Sequence, residues 1–210
     1  MKSTLFNMVA VLFTITLIAS AGVGAVNMIT EDAIAEANRQ ATVAAVANVL
    51  PAFEKSEMST MTIDEMPINI YTAVDGSGAV VGYAVETMTM SGFSGKVRMM
   101  VGFDAEGTIL NVNVLEQSET PGLGSKMCDD GNVLLASVQG KNPANLKLKV
   151  KKDGGDIDAL TAATISSRAY ADAVARAYEA FKVASGAQES TDGVSGATEG
   201  HDAQEGGDNE

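Results

Sequence analysis

The sequence predicts an α+β domain behind a single membrane-spanning helix, on three observations. Leu5 through Ile29 is almost wholly apolar, and no charged residue falls between Lys2 and Glu31. From Ile70 to Leu115 apolar residues recur at every second position, the period of strands with one buried face. From Ile165 to Phe181 the period turns helical, with Tyr170, Val174, Ala177 and Phe181 on one face.

The elements follow in chain order. At about 1.5 Å per residue the apolar run can cross the roughly 30 Å hydrocarbon core, so residues 5–29 read as a transmembrane helix behind a short cytoplasmic N-terminus, 1–4. Ala19-Ser-Ala21 has the small-x-small form of a signal-peptide cleavage site. The apolar run continues past it through Val23, Val26, Met28 and Ile29, which favours an anchor over a cleaved signal. Lys2 precedes the span while Glu31, Asp32 and Glu36 follow it, so the positive-inside rule puts the N-terminus in the cytoplasm and the rest of the chain outside.

Thr30 is expected to cap a second helix that begins at Glu31-Asp32, whose acidic groups suit the helix dipole, and that ends before Pro51. Residues 30–69 then form a juxtamembrane helix and connector. Ile70–Val74 and Val80–Thr87, joined through Asp75-Gly-Ser-Gly78, read as a hairpin. Lys96–Phe103 and Thr108–Leu115, around Asp104-Ala-Glu-Gly107, extend it to an antiparallel meander. A short helix is expected within Ser125–Ser137, a further strand at Leu146–Val150 and a short strand around Ile157–Leu160, with the domain spanning 70–184. Beyond it, residues 185–210 are rich in Gly, Ser, Asp, Glu and Gln with few large apolar side chains, the composition of a disordered acidic tail.

Composition excludes several functions. The 210 residues carry a net charge of −13, and the lysines at 147, 149, 151 and 152 alternate along a segment rather than forming a basic face, which argues against nucleic acid. One cysteine, Cys128, excludes an internal disulfide and gives no support for zinc or iron–sulfur ligation. Asp129 and Asp130 beside it are expected to raise its pKa, and it is assigned no role. The only histidine, His201, lies in the tail, so no Ser-His-Asp or Cys-His nucleophile is formed and no metal site is expected.

The most informative stretch is Asp158-Ala-Leu-Thr161-Ala-Ala163-Thr164-Ile-Ser166-Ser167-Arg168. It delivers Thr164 to the first turn of the amphipathic helix through small residues that keep the backbone thin. The first N–H groups of a helix have no internal partners and carry the positive end of the dipole, so a phosphate ester on the Thr164 hydroxyl would lie in a favourable field. Thr161, Ser166 and Ser167 are placed to add hydroxyl donors, and Arg168 to pair with a phosphate oxygen. The plainer reading is an N-cap worth about 1 kcal/mol to the helix.

Asp158-x-x-Thr161-x-Ala163-Thr164 resembles the Asp-x-x-Ser/Thr-Gly-Ala-Thr signature recognised by flavin transferases of the ApbE type, with Ala162 in place of the glycine. A second run, Glu119-Thr120-Pro121-Gly122-Leu123-Gly124, resembles the Glu-Thr-Pro-Gly-Leu-Gly segment of the same FMN-binding domain family, and the similarity spans roughly 71–181. With the N-terminal anchor, the pattern is similar to the G subunits of Rnf-type complexes, which are related to the C subunit of sodium-pumping NADH:quinone reductase. The resemblance implies FMN held covalently through its phosphate on Thr164. It also implies Thr161, Ala163, Ser166, Glu119, Thr120, Gly122 and Leu123 about the cofactor, with Leu123 covering the ring and the backbone around Gly122 offering hydrogen bonds. Asp192-Gly-Val-Ser-Gly-Ala-Thr198 in the tail fits the signature with its glycine included, which makes Thr198 a second attachment candidate.

The implied function is an electron relay without substrate turnover of its own. It would sit in the inner (cytoplasmic) membrane, among the other membrane subunits of an Rnf-type complex that couples ferredoxin and NAD oxidoreduction to ion transport. Two alternatives stand beside it: the C subunit of the sodium-pumping reductase, and a non-redox scaffold subunit in which Thr164 is merely a cap.

Overall fold

The computed structural model describes residues 5–186. Its order is α1 (Leu5–Val49), β1 (Lys55–Ile63), β2 (Met66–Val74), β3 (Val80–Gly92), β4 (Gly95–Phe103), β5 (Ile109–Glu116), α2 (Val133–Val138) and α3 (Thr164–Ala184), with short 3-10 turns at Gly124–Cys128, Pro143–Asn145 and Lys151–Asp153. The five strands form one antiparallel sheet in the order β1-β2-β3-β4-β5. This is the predicted α+β architecture, reached by a meander whose short turns leave each strand beside its sequence neighbour.

Both faces of the sheet are covered in part. Ile68, Ile70, Val85, Val97, Met99, Val101 and Phe103 face α3, which contributes Tyr170, Val174, Ala177 and Phe181, the stripe read from the sequence. Phe181 stacks on Phe103 with ring centroids 4.9 Å apart and meets Tyr83 edge-on at 5.3 Å. On the other face Ala73, Ala84 and Met100 receive the end of α1 through Ala45, Val46, Val49 and Leu50. Double coverage explains why Met99, Met100 and Val101 run as consecutive apolar residues where a half-exposed strand would alternate. Beyond the reach of α1 that face turns polar. There Arg98 pairs with Glu86 at 2.6 Å and Lys96 with Glu116 at 2.9 Å.

Three sequence expectations are corrected. α1 is one continuous helix: Thr30 caps nothing, its hydroxyl donating back to the Val26 carbonyl at 2.9 Å, because no residue around it interrupts helical geometry. The connector assigned to 30–69 contains β1 and the start of β2, paired from Lys55↔Val74 to Ile63↔Met66 across a two-residue turn in which Asp64 and Glu65 both take positive φ, 50° and 63°. β1 is an edge strand, largely exposed and polar, so it lacks the alternating apolar signal that marks its neighbours.

The strands expected at Leu146–Val150 and around Ile157–Leu160 do not form. Val150 and Ile157 make a single isolated parallel bridge, and the carbonyls of Lys147 and Lys149 accept from Asp156 and Ile157 at 3.0 Å each, within the same loop. A strand needs a free edge. The exposed side of β5 is instead met by the 140–141 segment, through Gly140 N–H to the Ile109 carbonyl and Ile109 N–H to the Lys141 carbonyl. The expected short helix is present as the Gly124–Cys128 turn and α2, whose N-cap Asn132 accepts from Leu134 and Leu135 N–H.

The helix α1 is long and apolar enough to cross a membrane, and its apolar stretch is unburied within the protein. The tail expected to be disordered, with Thr198 and His201, lies outside the described residues.

Candidate flavin-binding site

Thr164 is the first residue of α3, preceded by Ala163 at the N-cap with φ −131° and ψ 48°, and no side chain caps the helix. The cap reading of Thr164 therefore fails: its hydroxyl is not spent on the helix end, and the first-turn N–H groups remain open to a ligand. The approach is a loop rather than a strand, and it turns at Ala162, whose φ of +60° lies in the left-handed region that favours glycine. The position at which the resembling signature carries glycine is thus one where this backbone needs it.

A cleft of about 320 Å³ opens at this helix end, lined by Thr164, its neighbours Ala162, Ala163, Ile165 and Ser166, by Thr120, Leu123 and Gly124 from the loop after β5, and by Phe93 from the β3–β4 hairpin tip. That volume lies within the range of small-molecule sites. Phe93, Leu123 and Ile165 are exposed by 65%, 39% and 46%, so the mouth carries apolar surface that an aromatic ring system would cover. Open N–H groups for a phosphate, a free threonine hydroxyl and apolar walls for a ring are what FMN requires.

Of the residues expected about the cofactor, Thr164, Ala163, Ser166, Thr120 and Leu123 line the cleft. Thr161 lies on the exposed turn beside it and Gly122 in a β-turn closed by Leu123 N–H to the Thr120 carbonyl at 3.1 Å. Gly122 takes φ +74°, and its N–H is already donated to Ser125 Oγ at 2.9 Å. Glu119 is 4% exposed and sits behind the cleft wall, accepting from Ser166 Oγ and, at 3.0 Å, from Ser94 N–H.

Two further donors are otherwise engaged. Arg168 makes a two-pronged bond to Asp153, at 2.7 and 2.8 Å, which holds the Asp153 carboxyl below the usual range. Ser167 is fully buried, accepting from Leu160 N–H and donating to the Ala163 carbonyl, both at 2.9 Å, so it fixes the approach loop rather than facing a ligand. The Cys128 thiol is pushed up chiefly by burial and secondarily by Asp129. No group of three or more metal-ligating side chains occurs among the described residues.

Phe93 and Ile165 are cleft residues that the sequence pattern does not single out. Ile165 is hidden by its place at the head of the helical period. Phe93 carries a readable signal, an aromatic inside Ser91-Gly-Phe-Ser-Gly95, where a turn needs no large side chain.

Comparison with known proteins agrees with this geometry. Residues 92–179 match the FMN-binding domain family. The chain is 35% identical to the G subunit of the ion-translocating oxidoreductase complex of Shewanella amazonensis, over 76% of this chain and 80% of that one. It is 32% identical to the corresponding protein of Shewanella baltica over 84% and 89%. The chain belongs to the family of G subunits of ion-translocating oxidoreductase complexes. A more distant member, at 28% identity over 84% of this chain and 91% of the other, is the G subunit of the Na(+)-translocating ferredoxin:NAD(+) oxidoreductase complex of Acetobacterium woodii. Among solved structures, Shewanella oneidensis NqrC is similar at 21% identity and a TM-score of 0.37, covering 63% of this chain and 65% of that one. Within this family the single apolar helix α1 is a membrane anchor, and the cleft beside Thr164 lies inside the matched FMN-binding segment.

Proposed function

We propose that this chain is a membrane-anchored flavoprotein electron carrier of an ion-translocating electron-transport complex, with FMN joined through its phosphate to the Thr164 hydroxyl oxygen. The carrying observation is the free Thr164 side chain at an uncapped helix N-terminus, in a cleft with apolar walls. Bound FMN would supply one- and two-electron chemistry that no side chain here provides. The first-turn N–H groups of α3 would hold the phosphate, Thr120 offers a hydroxyl, Ser166 keeps its own hydroxyl on Glu119 behind them, and Phe93, Leu123 and Ile165 keep water from the ring. A flavin transferase of the ApbE type makes the bond, reading Asp158 to Thr164, with Thr161 exposed for that recognition; the FMN phosphoryl group passes from a flavin dinucleotide to the Thr164 oxygen as the pyrophosphate bond breaks, and the nucleoside monophosphate and the hydroxyl proton leave. Thr198 is a second acceptor for the same enzyme.

The chain passes electrons between neighbouring membrane subunits of an Rnf-type complex, and coupling to ferredoxin, NAD and the transported ion is a property of the whole assembly. The names borne by its relatives support this placement. The domain stands on the periplasmic or external side, a placement supported by Lys2 ahead of the span and Glu31, Asp32 and Glu36 after it.

The test is the full chain made in a host that contains the transferase, denatured, digested and weighed peptide by peptide. The peptide with Thr164 is expected to carry one FMN moiety, and Thr164→Val to fold without it. Stoichiometric covalent flavin retained in Thr164→Val with Thr198 unmodified, or wild-type protein modified at Thr198 with Thr164 bare, overturns the assignment.

A further inference from the structure

Glu119 is a buried carboxyl with an unusual set of neighbours. Its Oε1 accepts from Ser94 N–H at 3.0 Å and its Oε2 from the Ser166 hydroxyl, while its own N–H donates to Gln117 Oε1 at 2.6 Å. None of the ion pairs among the described residues includes it. Two glycines make room for it: a side-chain carbon on Gly92 would stand 2.7 Å from Oε1, and one on Gly124 would stand 2.9 Å from Oε2.

One carboxylate thereby ties together the β3–β4 hairpin tip, the loop after β5 and the first turn of α3. These are the three segments that line the cleft. The charge is offset by hydrogen bonds and by the positive end of α3, where Ser166 is the third residue, rather than by a cation. It stands one layer behind the wall formed by Thr120, Gly124 and Ser166. A negative charge at that depth is poorly screened, and it opposes the arrival of an electron in the cleft.

We propose that Glu119 is a positioning residue whose carboxylate, through Ser166 and Ser94, sets the shape of the cleft and holds the reduction potential of its flavin down. The inference rests on the reading that FMN occupies this cleft. The Glu119→Gln side chain keeps the shape and an acceptor while removing the charge. In the full-length flavinylated protein its flavin midpoint potential shifts positive of wild type. The Ser166→Ala change leaves the charge but withdraws one donor from it, so its potential shifts negative. Simple loosening of the cleft would move both variants the same way.

A flavin-free readout accompanies these. In the Thr164→Val background made in a host without the transferase, Glu119→Ala speeds hydrogen exchange at the Ser94 amide by roughly tenfold or more, since that donor loses a charged acceptor. An unchanged potential in Glu119→Gln, shifts of the same sign in the two variants, or unchanged Ser94 exchange overturns the proposal. Wild-type protein with no FMN on the Thr164 peptide is a different failure, seen by mass before any potential is measured. That result removes the underlying reading and this inference with it.

Discussion

The carbonyl of Val49, at the end of α1, occupies the space that a side chain at Gly102 of β4 would need. The neighbouring contact is of the same kind, with a side-chain carbon on Gly82 placed 3.1 Å from Leu50 Cδ2, and Asn111 Nδ2 donates to the Asn48 carbonyl at 3.1 Å. The membrane helix therefore enters the domain as a packed element rather than through a slack linker. It docks where β3 begins and β4 ends, whereas the cleft beside Thr164 lies at the opposite end of these strands, at their hairpin tip.

Gly102→Ala is expected to force this docked turn off the sheet and destabilise the fold by about 1–3 kcal/mol, the usual effect of overpacking a filled site. Gly24→Ala in the exposed part of α1, with nothing within 4 Å of the new carbon, is the matched control. Denaturant unfolding of the two variants measures the difference. Equal stability would show that the junction yields freely.

Ala162 holds a left-handed backbone without being glycine. A residue with a Cβ is strained there by roughly 1–2 kcal/mol, and glycine offsets part of that relief through its more flexible unfolded chain. Ala162→Gly is expected to stabilise the domain by about 0.5–1 kcal/mol in thermal unfolding, the net of those two effects. A destabilised variant would mean that the methyl group contributes more to the cleft wall than the backbone loses.

The Asp153–Arg168 pair pins the loop after Val150 to α3, and both partners are largely solvent-accessible. Because the folded state depresses the Asp153 pKa, the pair stabilises above the ordinary aspartate range and the stabilisation is lost as pH falls through the depressed value. Asp153→Asn should therefore melt slightly below wild type at neutral pH, and the gap should close below about pH 3.9. A gap that persists in acid would assign the effect to packing instead. Melting curves of both proteins across that range decide it.

Much of the candidate site was legible because it is local. Thr164 at a helix start, Glu119 through Gly124 as a turn-forming run and the α3 stripe at Tyr170, Val174, Ala177 and Phe181 each lie within one short segment. Arg168 and Ser167 show where local reading stops. Both sit at the right spacing to face a phosphate, yet Arg168 is taken by Asp153, which only the folded loop brings near, and Ser167 turns back onto Leu160 and Ala163 of its own approach turn. Phe93 and Thr164 line one cleft although about seventy residues of chain separate them, a closure that no periodicity encodes.

The sequence by itself determined the apolar span of α1, the antiparallel meander from Ile70 to Leu115, the long amphipathic helix and the threonine at its head, because hydrophobic period and turn chemistry act over a few residues. Only the tertiary structure decided that Thr30 lies inside one continuous helix, that β1 joins the sheet, that residues 146–150 do not, and that Glu119 supports the cleft from behind. Each of these depends on which hydrogen-bonding edge, carboxylate or backbone carbonyl remains free once distant segments have packed, and a linear chain does not state that outcome.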